Sequence, residues 1–155
     1  MNVLTGWVLP CLYATAACLG FCVLFNIRGF GAVLCALGGG LTWLVYLGTG
    51  PITGYHVVMQ SFWGAVTLSI YSEGMARIRK CPVTAYMTVA FLPMVPGAGI
   101  YSMMEHALNG EMDLFLSTGL ETLSIAGSLA VGVLVVSSLV RMATVLRRLR
   151  SQDGT

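Results

Sequence analysis

The chain has 155 residues, 57% of them hydrophobic and only 9% charged, with a mean hydropathy of +0.84 and a formal net charge of +2. A water-soluble domain carries roughly 25% charged residues, so this composition excludes a globule coated against water and makes lipid the solvent. No nucleic-acid partner is expected.

The few charges divide the chain into five apolar blocks. Each is long enough to cross a hydrocarbon core of about 30 Å, which takes roughly 20 residues. The first block, Val3–Phe25, has no basic residue before it and runs on past Ala14-Thr15-Ala16. It is therefore read as an uncleaved helix and not as a signal peptide. Small residues recur along it at helical spacing: Cys11, Thr15, Cys18 and Cys22. The second block, Gly29–Leu47, repeats the pattern with Gly31, Cys35 and Gly39, inside the triplet Gly38-Gly39-Gly40. The third, Thr53–Tyr71, carries His56, Gln60, Gly64, Thr67 and Tyr71 along one face. The fourth is Pro82–Met104. The fifth, Leu114–Val140, carries Ser117, Glu121, Ser124, Ser128 and Gly132. Helices in lipid associate through such small and polar stripes, because burial away from water no longer drives them together. The connections are short, so residues 1–155 form one membrane domain. The five cysteines show neither disulfide nor zinc spacing, and no metal or cofactor is expected.

Basic residues stay on the cytoplasmic side of a membrane. With five spans, Arg28, the cluster Arg77/Arg79/Lys80, and Arg141/Arg147/Arg148/Arg150 all fall on one face, opposite Glu105, Glu111 and Asp113. The reading is an all-α integral membrane protein of five transmembrane helices, N-terminus outside and C-terminus cytoplasmic.

The fourth block contains AFLPMVPGAGIY, residues 90–101. Counting from Pro82 at 1.5 Å per residue, Pro93 lies about 16 Å along, near the bilayer midplane. Pro93 cannot donate to the carbonyl of Val89, nor Pro96 to that of Leu92. Gly97 and Gly99 admit backbone angles closed to other residues. The spacing predicts a helix broken over Pro93–Gly99, one half ending near Leu92 and the next starting near Gly97. Freed carbonyls on Val89 and Leu92 would suit a cation or substrate ammonium. The N–H groups of Gly97, Ala98 and Gly99 would suit a carboxylate. Secondary transporters build midplane sites from such discontinuous helices. Glu121, about two turns or roughly 10 Å below the outer end of its helix, joins this candidate translocation site, since an ionisable group within a span usually faces a cavity or a partner. On the inner side Glu73 and Arg77 stand one helical turn apart, and Lys80 follows at the membrane surface. Contact with anionic lipid and the gathering of an anionic substrate both fit these inner-mouth charges.

The stretch YSEGMARIRKCPVTAY followed by PMVPGAGIY resembles the threonine/serine exporter (ThrE-type) family, in particular its separate small subunit. The matching positions are Tyr71, Ser72, Glu73, Ala76, Arg77, Lys80, Pro82, Pro93, Val95, Pro96, Gly97 and Tyr101. Met94 departs from the leucine common there. The resemblance is dense over Tyr71–Tyr101, adds Tyr101 to the candidate site, and is looser elsewhere. It implies a proton-driven exporter of small carboxylate metabolites, threonine and serine or a dicarboxylate such as succinate, in a bacterial plasma (inner) membrane. It also implies a large subunit as partner; self-association through Ser124, Ser128 and Gly132 is the substitute. Two other classes compete. An intramembrane enzyme needs a nucleophile–base pair or metal ligands, and Glu73, Glu105, Glu121, His56 and His106 form no such motif. A structural subunit could support a catalytic partner without touching substrate.

Overall fold

The computed structural model describes residues 4–152, and their side chains over residues 6–146. Val3, where the first span was expected to begin, and the side chains of Arg147, Arg148 and Arg150 lie outside the described residues. A π-helical turn, Leu4–Val8, leads into α1 (Leu9–Leu24). Then follow α2 (Phe30–Thr49), α3 (Val57–Arg79), α4 (Val83–Phe91), a 3-10 turn (Leu92–Met94), α5 (Gly97–Leu108) and α6 (Met112–Gln152). Among the described residues every regular element is helical.

The punctuation of the chain explains the boundaries. Pro10 sits in the first turn of α1, where its missing N–H costs nothing. Asn26 at φ 56° and Gly29 at φ 70° turn the chain between α1 and α2. Lys80 closes α3 in the left-handed conformation at φ 53°, and Pro82 precedes α4. Gly110 at φ 75° reverses the chain between α5 and α6.

Three helical segments are long and apolar enough to cross a membrane: Gly6–Leu24, Phe30–Thr49 and Met112–Leu146. The pieces Val83–Met94 and Gly97–Leu108, bent by 48°, make a fourth if they form one span. The sequence suggested five. The difference lies in α3, which at 23 residues is long enough but too polar to meet the same criterion. Its buried face is Gln60, Ser61, Gly64, Ala65, Leu68, Ser69, Ser72 and Ala76. α2, α4 and α6 all pack on α3, so protein rather than lipid meets those polar groups. His56 lies outside the stripe expected for this helix: it is the exposed residue before its first turn.

Close approach at glycine holds the bundle together. A Cβ on Gly39 would collide with Cys18, one on Gly40 with Thr15, and one on Gly38 with the Tyr71 ring. α2 thus threads between α1 and α3 at the triplet Gly38-Gly39-Gly40. Tyr71 Oη donates to Leu34 O at 2.6 Å across the α2–α3 seam. Two cores result. One gathers Cys18, Cys22, Cys35, Ala36, Ala76, Tyr86 and Val89. The other gathers Ala65, Met94 and Leu129.

The packed stripe of α6 is not the one its sequence suggested. Gly119, Thr122, Leu129, Gly132 and Val136 are buried, whereas Ser117, Glu121 and Ser124 are exposed. Gly132 lies against α3, where a Cβ would sit 2.8 Å from Ala65 Cβ and 3.0 Å from Phe62 O. It is therefore unavailable for self-association through Ser124, Ser128 and Gly132. The same geometry makes a stability prediction. Gly132→Ala should cost about 1–3 kcal/mol through overpacking, because one of the close atoms is backbone and cannot swing away. Gly127→Ala, with nothing within 4 Å of the added methyl, should cost nothing. Unfolding midpoints of the two variants in mixed detergent micelles measure the contrast.

Candidate functional site

The interruption between α4 and α5 begins where Pro93 removes a backbone donor. After Phe91 the helix tightens into the 3-10 turn, Val95 is extended (φ −61°, ψ 129°), and Pro96 precedes the first turn of α5. The expected free carbonyls are not free. Val89 O accepts the Leu92 N–H and the Cys18 thiol, the latter at 3.5 Å. Leu92 O accepts the Val95 N–H at 3.3 Å. A tightened turn and a neighbouring thiol thus satisfy what the prolines release. Val89 is fully buried beside the cysteines, and neither Val89 nor Leu92 lines the cavity at the break.

The start of α5 behaves differently. Gly97 N–H bonds to Val95 O at 2.7 Å and Ile100 N–H to Pro96 O at 3.1 Å. Ala98 and Gly99 lie between them with no side-chain cap, and the Gly99 N–H has no backbone acceptor in the turn before the helix. These are the orphan donors of a helix N-terminus, at its positive end.

They open on a cavity of about 450 Å³. One wall is the chain from Pro93 to Gly99; α2 contributes Trp43 and Tyr46, α3 contributes Val57 and Ser61, and α6 contributes Thr118, Glu121, Thr122 and Ile125. Met94 fits into the notch at Gly64, where an added Cβ would lie 2.8 Å from its Sδ. Gly99 lies so close to Thr122 that a Cβ there would collide with the threonine side chain. These two contacts fix the break against α3 and the first turn of α5 against α6. Gly97, by contrast, has open space around it.

Trp43 and Tyr46 stack with ring centroids 5.2 Å apart. The Trp43 indole Nε1–H is buried without a hydrogen-bond partner, a state that costs about 1–3 kcal/mol. Ser61 and Thr122 donate to the carbonyls of Val57 and Thr118, which leaves their oxygens able to accept. Glu121 is exposed, and its carboxylate makes no ion pair among the described residues. The cavity lining therefore includes both N–H donors and a carboxylate.

Of the residues singled out in the sequence, Pro93, Pro96, Gly97, Ala98, Gly99 and Glu121 meet at this cavity. Tyr101 does not; it is 71% exposed on the outer face of α5. Glu73 and Arg77 line a separate cavity at the far end of α3, while Lys80 is the exposed left-handed residue that ends that helix. Trp43, Tyr46, Ser61, Thr118 and Thr122 were missed. Thr118 and Thr122 flank Glu121 one helical position away from the stripe chosen, and the Trp43/Tyr46 pair was the one available signal in α2.

No curated protein and no solved structure matches the chain. Residues 10–139 match the family described as threonine/serine exporter, ThrE. That match covers all of the cavity and most of the bundle. With helices long and apolar enough to cross a membrane, and with this match over most of its length, the chain belongs to the threonine/serine exporter family of membrane transporters.

Proposed function

We propose that the chain is the small subunit of a two-part carrier that exports small carboxylate metabolites, with the cavity at the α4–α5 break as its substrate site. Threonine and serine are the substrates that the cavity's chemistry fits best. Their carboxylate is matched by the Ala98 and Gly99 N–H groups and by the Trp43 indole. Their ammonium is matched by Glu121, and their hydroxyl by Ser61 or Thr118. The single observation that carries this reading is the convergence of unpaired donors and an unpaired carboxylate on one cavity. A dicarboxylate such as succinate meets the same donors but faces Glu121 as a like charge. An ionisable group within a spanning helix is usually functional, and Glu121 is proposed as the group that couples transport to protons. Because Glu121 is exposed on the single chain, a large subunit of the same family is proposed to close the cavity. We place the protein in a bacterial inner membrane with α3 as a fifth span and with α4 and α5 as one broken span.

Transport across vesicle membranes, with a candidate large subunit co-expressed, tests the site. Trp43→Phe removes one donor to a charged group, worth roughly 1.5–3 kcal/mol, and should raise the threonine KM about tenfold or more. Gly99→Ala should abolish flux by displacing α5 from Thr122, whereas Gly97→Ala should be tolerated. Glu121→Gln should remove flux driven by a pH gradient. If all of these variants transport normally, the chain is a supporting subunit that does not touch substrate.

Topology has an internal reporter. Cys81 is exposed in the turn between α3 and α4, on the side expected to be cytoplasmic. A membrane-impermeant maleimide should therefore spare the wild-type protein in intact cells and label it in inside-out vesicles. Asn109→Cys in a Cys81→Ser background should show the reverse. Labelling of both sites from the outside would overturn the orientation.

A further inference from the structure

At the opposite end of the bundle a second cavity, of about 410 Å³, lies between α3, the start of α4 and the last third of α6. Its charged residues are Glu73 and Arg77 on α3 and Arg141 on α6. Arg77 Nη2 donates to Thr144 Oγ1 at 3.0 Å, and Thr144 donates in turn to Val140 O at 2.8 Å. One of five guanidinium N–H groups is thereby spent on holding the arginine in place, and the others have no partner among the described residues. Glu73 stands one helical turn before Arg77 and is half-buried. No ion pair joins it to either arginine; among the described residues the only such contact is His106–Glu111, at the other end of the molecule. Two cations and one anion therefore border the same space without a direct ion pair among the described residues.

We propose that Arg77, Arg141 and Glu73 form a second recognition site, for a small zwitterionic amino acid. The carboxylate is held between the two guanidinium groups and the ammonium by Glu73. This arrangement matches charge to charge on both sides of the ligand. A ligand bearing only negative charge gains the arginines but meets Glu73 as a like charge, and a lipid phosphate meets the same repulsion. The site is also placed to load the cavity at the break. Thr84 and Met87 line both this cavity and the apolar groove between α4 and α6, and Phe91 lines both that groove and the next cavity along. That cavity in turn shares Val95, Pro96 and Thr122 with the one that contains Glu121. The loading role rests on the export reading above; the binding itself does not.

The test uses the full chain in nanodiscs of phosphatidylcholine, with radiolabelled threonine as ligand and succinate as competitor. To isolate the inner site, binding is measured in a Trp43→Phe/Glu121→Gln background. Arg77→Gln and Arg141→Gln should each weaken threonine binding about tenfold or more, as loss of a charge-assisted contact does. Arg141→Lys should retain most of it. Glu73→Gln should weaken threonine while strengthening competition by succinate, a reversal that mere loss of structure does not produce. Unchanged binding in these variants overturns the proposal, even if Gly99→Ala abolishes transport and the export reading stands. Binding that follows the expected pattern, while the wild-type chain co-expressed with its candidate large subunit shows no flux, leaves the site standing and removes the export reading. Threonine binding that is lost when phosphatidylglycerol is added assigns the arginines to lipid phosphate and overturns the amino-acid site.

Discussion

Every polar group at membrane depth must find a partner within the protein, since hydrocarbon supplies none. This chain meets that demand mostly within single helices. Thr15, Thr42, Ser61, Ser69, Thr122 and Ser124 each donate to the carbonyl four residues back, at 2.7–2.9 Å. Hydroxyls spent in this way do little to join one helix to another. Tyr71 is the one hydroxyl that donates from one helix to another among the described residues, helped by thiols at 3.5 Å or more. Adhesion therefore falls to close contact, and close contact falls to glycine. That is why three glycines stand in a row in α2 and why Gly132 faces α3.

The polar core of α3 follows from the same constraint. Once α2, α4 and α6 surround it, Gln60, Ser69 and Ser72 no longer have to be apolar. The wrapping also gives the interruption after Phe91 a rigid floor, with Met94 lodged at Gly64. A break in a helix is a liability only if its backbone groups are left without partners. Here the α4 side is closed by a 3-10 turn and a thiol, and the α5 side is left open towards a polar cavity. The asymmetry leaves donors rather than acceptors at the break, which is why the proposed ligand group there is an anion.

Local chemistry was readable in the sequence; tertiary choice was not. Pro93, Pro96 and Gly97 are enough to place an interruption, because proline and glycine act on their own backbone. The fate of the Val89 carbonyl depended on Cys18, 71 residues away, and no local rule could supply it. The packed face of α6 was misread for a different reason. In water, an apolar stripe marks the buried side of a helix; in lipid both sides are apolar, so only side-chain size and fit select the face. Gly132 lies on both the expected and the observed faces, and it is where size alone decides. The same ambiguity hid Thr118 and Thr122 behind the more conspicuous Ser117 and Ser124.

The two charged cavities gain meaning from what separates them. Between the Arg77–Arg141 cavity and the Glu121 cavity runs a groove of Met87, Phe91, Leu92, Val133 and Leu134, almost without polar atoms. A zwitterion pays a desolvation penalty of several kcal/mol per charge to cross such a surface. On the export reading, that groove is the barrier that a carrier needs, because a continuous polar path would leak. Lowering the barrier then requires a second set of polar groups opposite α4 and α6 at the moment of transfer. Neither helix supplies them, since α4 offers only Thr84 and Thr88 to the groove. On the export reading, groups presented transiently by a second bundle, rocking against this one, would allow passage without a permanent channel. On that reading, the open side of the groove is where such a bundle would act.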